Sequence, residues 1–451
     1  MIKSKIYDIL KGIIGTNYNK EYYEIVNLVN NKNLKEFQEK SLKKLLIHSY
    51  QNVPYYTHIF NEIDIIKNSD NCDLSKFNQI PILTKDIIKK NFYSLTSKDY
   101  LKRKWYYYGS GGTTGEPFTF IQDINYQKWD KATTKYYKKN IVGFNKNNPK
   151  NIYLWGSEKE IFSNLSNPKD IIQNWLNNSK ILNSFNMTEE NMEKYIKIIN
   201  SFKPEYILGY PNSLNDLSRY IKENKYQIYS PKFIISSAEV LREDIRKTIT
   251  EVFETKVLDF YGSRETASIA GECKKGAMHL FSFNNLIEIL DENNQPVKNN
   301  QEGRVIITNL HNYSMPFIRY ELGDTALFGD TNCECGNPLP TLKKITGRIL
   351  EHFIRKDGSI VPAEFFMFLF IEYHKNGRIK KYQIIQETYK KIKILLVLDG
   401  KISEKEKEDI EDKIRIAMNS DIEIVWEFVT DISKTQSGKY LYTQSKISKK
   451  L

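Results

Sequence analysis

The sequence predicts an α/β protein: a large N-terminal part of mixed or parallel sheets flanked by helices, and a small α+β domain at the C-terminus. Three observations point there. Short apolar runs that enter polar or glycine-bearing loops alternate with segments of helical spacing across most of the length. The last hundred residues change to a β-β-α-β order, which suits a separate small domain. A chain of 451 residues also exceeds what one core usually serves, and a hydrophobic content of 40% is enough for more than one.

In chain order, Lys150–Trp155, Tyr206–Gly209 and Lys232–Ser236 read as short buried strands. Between them, Glu189–Phe202 carries Met192, Tyr195, Ile196 and Ile199 on one helical face, and Ser213–Glu223 carries Leu214, Leu217, Tyr220 and Ile221. Such βαβ alternation places functional loops at strand ends. Beyond it, Lys380–Gln386 and Lys391–Leu398 read as strands joined by a short turn, Glu404–Met418 as an amphipathic helix, and Ile422–Val429 as a third strand. The expected division is residues 1–346, a hinge at 347–351, and a small domain at 352–451.

Composition narrows the class. The start of the chain has no long apolar run before Lys11, and no window approaches the ~18 uninterrupted apolar residues of a membrane span. Four cysteines, two of them one residue apart, do not form a secreted disulfide framework, so a reducing cytoplasm is expected. The net charge of +12 raises nucleic acid as a partner. Its lysines, however, are scattered among Asn, Ile and Tyr, which reads as a generally basic surface suited to anionic small molecules.

The segment Tyr108-Gly-Ser-Gly-Gly-Thr-Thr-Gly-Glu-Pro117 is too polar for a core and too long for a simple turn. Glycines let the backbone approach an anion, and Ser110, Thr113 and Thr114 add neutral donors. It is not a Walker A loop, because Glu116-Pro117 follows Gly115 where Lys-Ser/Thr is required. Four further pieces follow in order: Tyr261-Gly262-Ser263-Arg264-Glu265, Tyr320-Glu-Leu-Gly-Asp324, Gly347-Arg348, and Lys434-Thr-Gln-Ser-Gly-Lys439. Together these resemble the motifs of the adenylate-forming enzymes, the superfamily of acyl- and aryl-CoA ligases. The likeness runs from about residue 40 to the end. Its N-terminal third, Leu46 to Phe60 and Ile80 to Lys85, is most similar to the phenylacetate-CoA ligase and CapK-like branch, and Gly209–Leu214 and Ser236–Leu241 extend it.

The resemblance implies ATP and Mg²⁺ as cofactors. Ser110, Gly111, Gly112, Thr113, Thr114 and Gly115 would hold phosphates, and Ala238, Glu239, Tyr261, Gly262 and Ser263 would line the nucleotide site. Asp324 would accept from both ribose hydroxyls, which an ionised carboxylate does well, and Glu265 would help hold Mg²⁺. Lys439 would neutralise the charge that grows as a carboxylate meets the α-phosphate. Arg348 would contact ribose or phosphate at the hinge, and Tyr210, in the loop after a strand, would wall the acyl pocket. Two departures stand out: Leu350-Glu351 where Asp-Asp or Lys is common at the hinge, and Glu116 where many members carry lysine. An acidic Glu116 leaves phosphate binding mostly to backbone and hydroxyl donors.

Cys273, His279, Cys333 and Cys335 form a second constellation. Three thiolates and an imidazole are a closed, structural zinc set, although the spacings are not paired CxxC; the alternative is unrelated reduced cysteines. His48, His58, His311, His352 and His374 show no ligand or nucleophile spacing. The expected function is ATP-dependent activation of a small carboxylic acid, followed by acyl transfer to CoA or to an amine, the latter in surface polysaccharide biosynthesis. An aryl-CoA ligase of small-acid metabolism is the alternative. A basic zinc-bearing nucleic-acid-binding protein is the alternative from another class, and no finger spacing or basic helix supports it.

Overall fold

The computed structural model describes residues 17–68, 71–110, 118–146, 148–156, 174, 176–184, 186–239, 241–298, 301–329, 333–346, 353–361, 365–366, 369–370, 378–398, 400–418, 422–432 and 443–447. The described residues pack as two compact units, within Met1–Gly109, Thr119–Asn148 and Leu258–Gly347 for the first, and Ser110–Phe118, Pro149–Val257 and Arg348–Leu451 for the second.

The first unit opens with helices Asn19–Asn30, Leu34–Asn52 and Pro54–Glu62. Pro54 begins the third of these, where its missing N–H is not needed and its fixed φ suits the first turn. Helix Ile124–Tyr136 is capped by the buried Asp123, whose Oδ1 accepts from Tyr126 N while Oδ2 accepts from Tyr313 N and Ser314 N. One carboxylate thereby starts the helix and anchors a distant turn.

The unit's sheet runs in the order Asn285–Leu290, Gly303–Asn309, Tyr320–Phe328, Thr341–Thr346, Met278–Leu280, Ala267–Glu272, Val257–Ser263, each strand antiparallel to the next. Hairpin connections explain this order, since neighbours in sequence are mostly neighbours in space. One segment joins from far away: Leu83 bridges Tyr320 in parallel, its N–H donating to Arg319 O and its carbonyl accepting from Glu321 N, both at 2.9 Å.

Arg319 fixes that junction. Its side chain is 2% exposed, its φ is +52°, and it forks onto Glu288, with Nε to Oε2 at 3.1 Å and Nη2 to Oε1 at 3.0 Å. Nη1 donates to the carbonyls of Asn78 and Ile80. A planar guanidinium with five donors can hold a carboxylate and two carbonyls at once.

In the second unit, strands Phe233–Ser237, Tyr206–Gly209, Asn151–Trp155 and Ser179–Asn183 form a parallel sheet in that order. Helices Glu189–Phe202, Pro211–Glu223 and Glu243–Phe253 supply its cover, burying Ile196, Leu214, Leu217 and Ile249 with Ile152, Ile207 and Ile234. Thr188 caps the first of them through Asn191 N, and Lys203 at φ +52° ends it. The central strand, the first helix and the strand at Tyr206 match the sequence reading within a residue or so; the second helix starts two residues early, at Pro211.

The same unit holds a four-stranded sheet in the order Glu423–Phe428, Lys391–Leu398, Ile379–Thr388, Thr443–Ser445. Its central pair is antiparallel and each outer strand is parallel to its neighbour. Helix Glu404–Met418 begins with a reciprocal cap: Ser403 Oγ accepts from Glu406 N at 3.3 Å while Glu406 Oε2 accepts from Ser403 N at 2.8 Å. Ile410 and Ile414 then pack on Ile384, Ile392, Ile394 and Leu396. The β-β-α-β order is as expected. The short hairpin Phe353–Ile354 with Ile360–Val361, and the strand Thr443–Ser445, were not foreseen, because two- and three-residue strands carry no periodicity.

Candidate functional site

The hairpin Val257–Ser263 to Ala267–Glu272 carries the Tyr-Gly-Ser-Arg-Glu motif into a tight turn. Gly262 is needed there, since a Cβ would lie 2.9 Å from the Ala267 carbonyl. Ser263 Oγ accepts from Thr266 N at 3.0 Å, and Ala267 closes the turn at φ +63°. The Arg264 carbonyl accepts from Gln122 Nε2 at 2.8 Å and Tyr126 Oη at 3.2 Å. The Arg264 side chain donates to Gly109 O at 3.2 Å, tying the turn to the strand Trp105–Ser110 that leads toward the glycine loop.

Three predicted residues meet around this turn through partners of their own. Tyr261 Oη donates to Asp324 Oδ2 at 2.7 Å, on the strand where Gly323 takes φ +92°. Glu265, 7% exposed, accepts from Tyr320 Oη at 3.3 Å, and Lys85 Nζ lies 3.7 Å from the same oxygen. Sequence reasoning assigned Lys85 and Tyr320 no role: both were quoted as resemblance, and neither carries a local signal that it reaches Glu265. Gly111, Gly112, Thr113, Thr114, Gly115, Arg348 and Lys439 lie outside the described residues, and Ser110 is described only as the end of its strand.

Tyr210, Ala238 and Glu239 fall in the second unit. Tyr210 is buried and stacks on Trp155, ring centroids 4.3 Å apart and planes 19° from parallel. Ala238 stands at φ +74°. The Glu239 carboxylate sits at the start of helix Pro211–Glu223, its Oε2 accepting from Asn212 Nδ2 at 2.7 Å and Asn212 N at 3.4 Å. Burial pushes this carboxyl up to about 7 against those two hydrogen bonds, and nearby Asp216 adds to the rise.

The four cysteine and histidine residues singled out in the sequence converge. The ligand atoms of Cys273, His279, Cys333 and Cys335 all lie within 4.8 Å of one another. Cys273 Sγ is 3.7 Å from Cys333 Sγ, and Cys335 Sγ is 3.2 Å from His279 Nε2. Tetrahedral zinc with Zn–S bonds of ~2.3 Å needs sulfur atoms about 3.8 Å apart. His279 Nδ1 faces the Leu339 carbonyl at 3.1 Å, which can only accept, so Nδ1 carries the proton and Nε2 turns its lone pair to the cluster.

Backbone N–H groups point at each sulfur: Lys275 N to Cys273, Cys335 N to Cys333, and Asn337 N to Cys335, each 3.4 Å. Both loops turn on glycines at positive φ, Gly276 at +86° and Gly336 at +79°. Burial and the neighbouring cysteines push the Cys335 thiol up to about 12. Three crowded sulfurs plus a neutral imidazole are thus a donor set whose missing charge a soft divalent cation supplies, and the residues fit zinc.

Comparison with known proteins matches this architecture. Residues 353–446 fit the family model of the CapK C-terminal domain. Protein CapK of Staphylococcus aureus is 26% identical, aligned over 97% of this chain and 94% of its own. The phenylacetate-coenzyme A ligases of Thermus thermophilus and Pseudomonas putida are 21% and 24% identical, each over 73% of this chain and 74% of theirs. Among solved structures, 2-hydroxyisobutyryl-CoA ligase, in complex with 2-HIB-AMP and CoA in the thioesterification state, is 16% identical with a TM-score of 0.59. That alignment covers 92% of this chain and 90% of the ligase, and it shows a shared fold.

Residues 353–446 thus match the CapK C-terminal domain, and the chain is similar along most of its length to CapK and the phenylacetate-CoA ligases and shares the fold of 2-hydroxyisobutyryl-CoA ligase.

Proposed function

We propose that this protein activates a small carboxylic acid with ATP and passes the acyl group to a second nucleophile. The observation that carries the reading is the Tyr261–Asp324 hydrogen bond together with that of Tyr320 to the buried Glu265, because both join the same two resembled motifs, which lie far apart in the chain. In the first half-reaction a carboxylate oxygen bonds to the α-phosphorus and the bond to the bridging oxygen breaks, releasing pyrophosphate. In the second, a thiol or amine attacks the acyl carbon, AMP leaves, and the nucleophile loses its proton.

In this reading Asp324 accepts from the ribose hydroxyls, with Tyr261 holding one of its oxygens in place. Tyr261, Gly262, Ser263, Ala238 and Glu239 border the nucleotide, Ser110 to Gly115 hold phosphates, and Tyr210 walls the acyl site. Glu265 is a hard oxygen ligand suited to Mg²⁺, which when bound neutralises phosphate charge. Lys439 stabilises the charge growing at the reacting carboxylate and α-phosphate, with Arg348 beside the nucleotide. Residues 352–451 serve as the small domain that carries Lys439, and 347–351 as its hinge.

The alignment with CapK along nearly the whole chain favours the CapK-like variant, with an amine acceptor in surface polysaccharide assembly. A CoA acceptor follows from the phenylacetate-CoA ligase relatives. A structural zinc on Cys273, His279, Cys333 and Cys335 completes the proposal. Among the described residues no helix is long and apolar enough to cross a membrane.

Pyrophosphate exchange screened across aryl, fatty, amino and uronic acids tests the reading, because it reports the first half-reaction before the acceptor is known. Acid-dependent exchange with one class is the expected result. No exchange with any class, from folded protein that holds no ATP, would sink it.

A further inference from the structure

Lys85 occupies a place that its own helix does not favour. It is the first residue of helix Lys85–Lys90, where the positive end of the backbone dipoles disfavours a cation, and its side chain is only 15% exposed. Burying a lysine costs free energy unless a counter-charge meets it. The counter-charge here is Glu265, 7% exposed, 3.7 Å away. Tyr320 Oη donates to the same Glu265 oxygen.

The fold goes to some length to deliver this lysine. The segment before it is fastened to the Tyr320–Phe328 strand by the two backbone hydrogen bonds of Leu83 and by Arg319 reaching Asn78 and Ile80. Thr84 then caps the helix by accepting from Ile87 N at 3.3 Å. Lys85 is therefore set from two sides, by a pinned strand and by a capped helix, with its ammonium group at a carboxylate of the resembled nucleotide motif.

We propose that Lys85 is a positioning residue of the nucleotide site: it neutralises Glu265 when no metal is present, and shares that carboxylate with the divalent cation when Mg-nucleotide binds. This rests on the reading of Glu265 as the metal-side carboxylate. A bare Glu265 would repel the phosphates of metal-free ATP, whereas a Lys85-paired one does not, so Lys85 lowers the dependence of nucleotide binding on metal.

The test is calorimetric titration of ATP in EDTA and in excess Mg²⁺, taking the ratio of the two dissociation constants. Lys85→Met should raise that ratio at least about fivefold, the low end of ordinary coupling between two sites. Lys85→Arg should return it to the native value, and Lys85→Met should leave it unchanged in a Glu265→Gln background. A native ratio in Lys85→Met overturns the inference while leaving the proposed function standing. Native protein that holds ATP under neither condition overturns both. Should Lys85→Met alone fail to fold, the charge-free pair Lys85→Met/Glu265→Gln is compared with Glu265→Gln, and any difference in their ratios overturns the inference.

Discussion

Tyr261 Oη donates to Asp324 Oδ2 at 2.7 Å, so the phenol of one motif already occupies one oxygen of the carboxylate that the next motif would offer to a ribose. Asp324→Ala is expected to weaken ATP binding by ~1.5 to 3 kcal/mol, the scale of a lost charge-assisted hydrogen bond. Tyr261→Phe should cost less, roughly 1 kcal/mol, since it removes only the neutral donor that steadies Asp324. Calorimetry on both variants checks the order; equal losses would contradict a positioning role for Tyr261.

Lys439→Ala should cut pyrophosphate exchange by about a hundredfold or more while leaving ATP affinity largely intact, because its charge is needed mainly where new charge develops. Unchanged exchange with the correct acid would remove Lys439 from the chemistry.

Glu239 should write a pH dependence into stability. Its carboxyl is raised from 4.5 to about 7 in the folded protein, so between those values the folded state binds more protons than the unfolded one. Stability therefore falls as pH rises through this window, by roughly 3 kcal/mol over its full width. Glu239→Gln cannot ionise and should gain on the native protein between about pH 4.5 and pH 8 in thermal melts. A difference between the two midpoints that stays constant with pH would argue against a protonated Glu239.

One zinc per chain is expected in protein purified without chelator, under reducing conditions and with zinc available. Cys333→Ser or Cys335→Ser should lower metal content and melting temperature together, since metal held by such a set is folding energy. Elemental analysis near zero would dismiss the site.

Much of this was legible in the sequence where a local pattern carried it. Glu189–Phe202 and Glu404–Met418 have long apolar stripes with cap residues ahead of them, and Lys391–Leu398 alternates between half-buried and buried positions as far as Leu396. The cysteine and histidine cluster was readable from residue type alone, because few other reasons place Cys333 and Cys335 in a glycine-bearing loop. What escaped notice depends on distance. Nothing near Lys85 says that it ends at Glu265, and nothing near Asn212 says that it holds Glu239, since both contacts are set by sheet pairings and helix starts far away in the chain.

The Arg319 junction also imposes an order of events during synthesis. Ile80 leaves the ribosome 239 residues ahead of the arginine that will hold its carbonyl. Until then Ile80 and Leu83, each 1% exposed in the finished protein, have no strand to lie against. The Asn78–Leu83 segment thus emerges without its partners while the parallel sheet is made behind it, and the pairing that sets Lys85 beside Glu265 needs the Tyr320 strand to follow. A nascent chain stalled before Arg319 would be a client for chaperones, and a truncation there would keep Lys85 while removing the Arg319 junction that sets its helix and the Tyr320 that shares Glu265 with it.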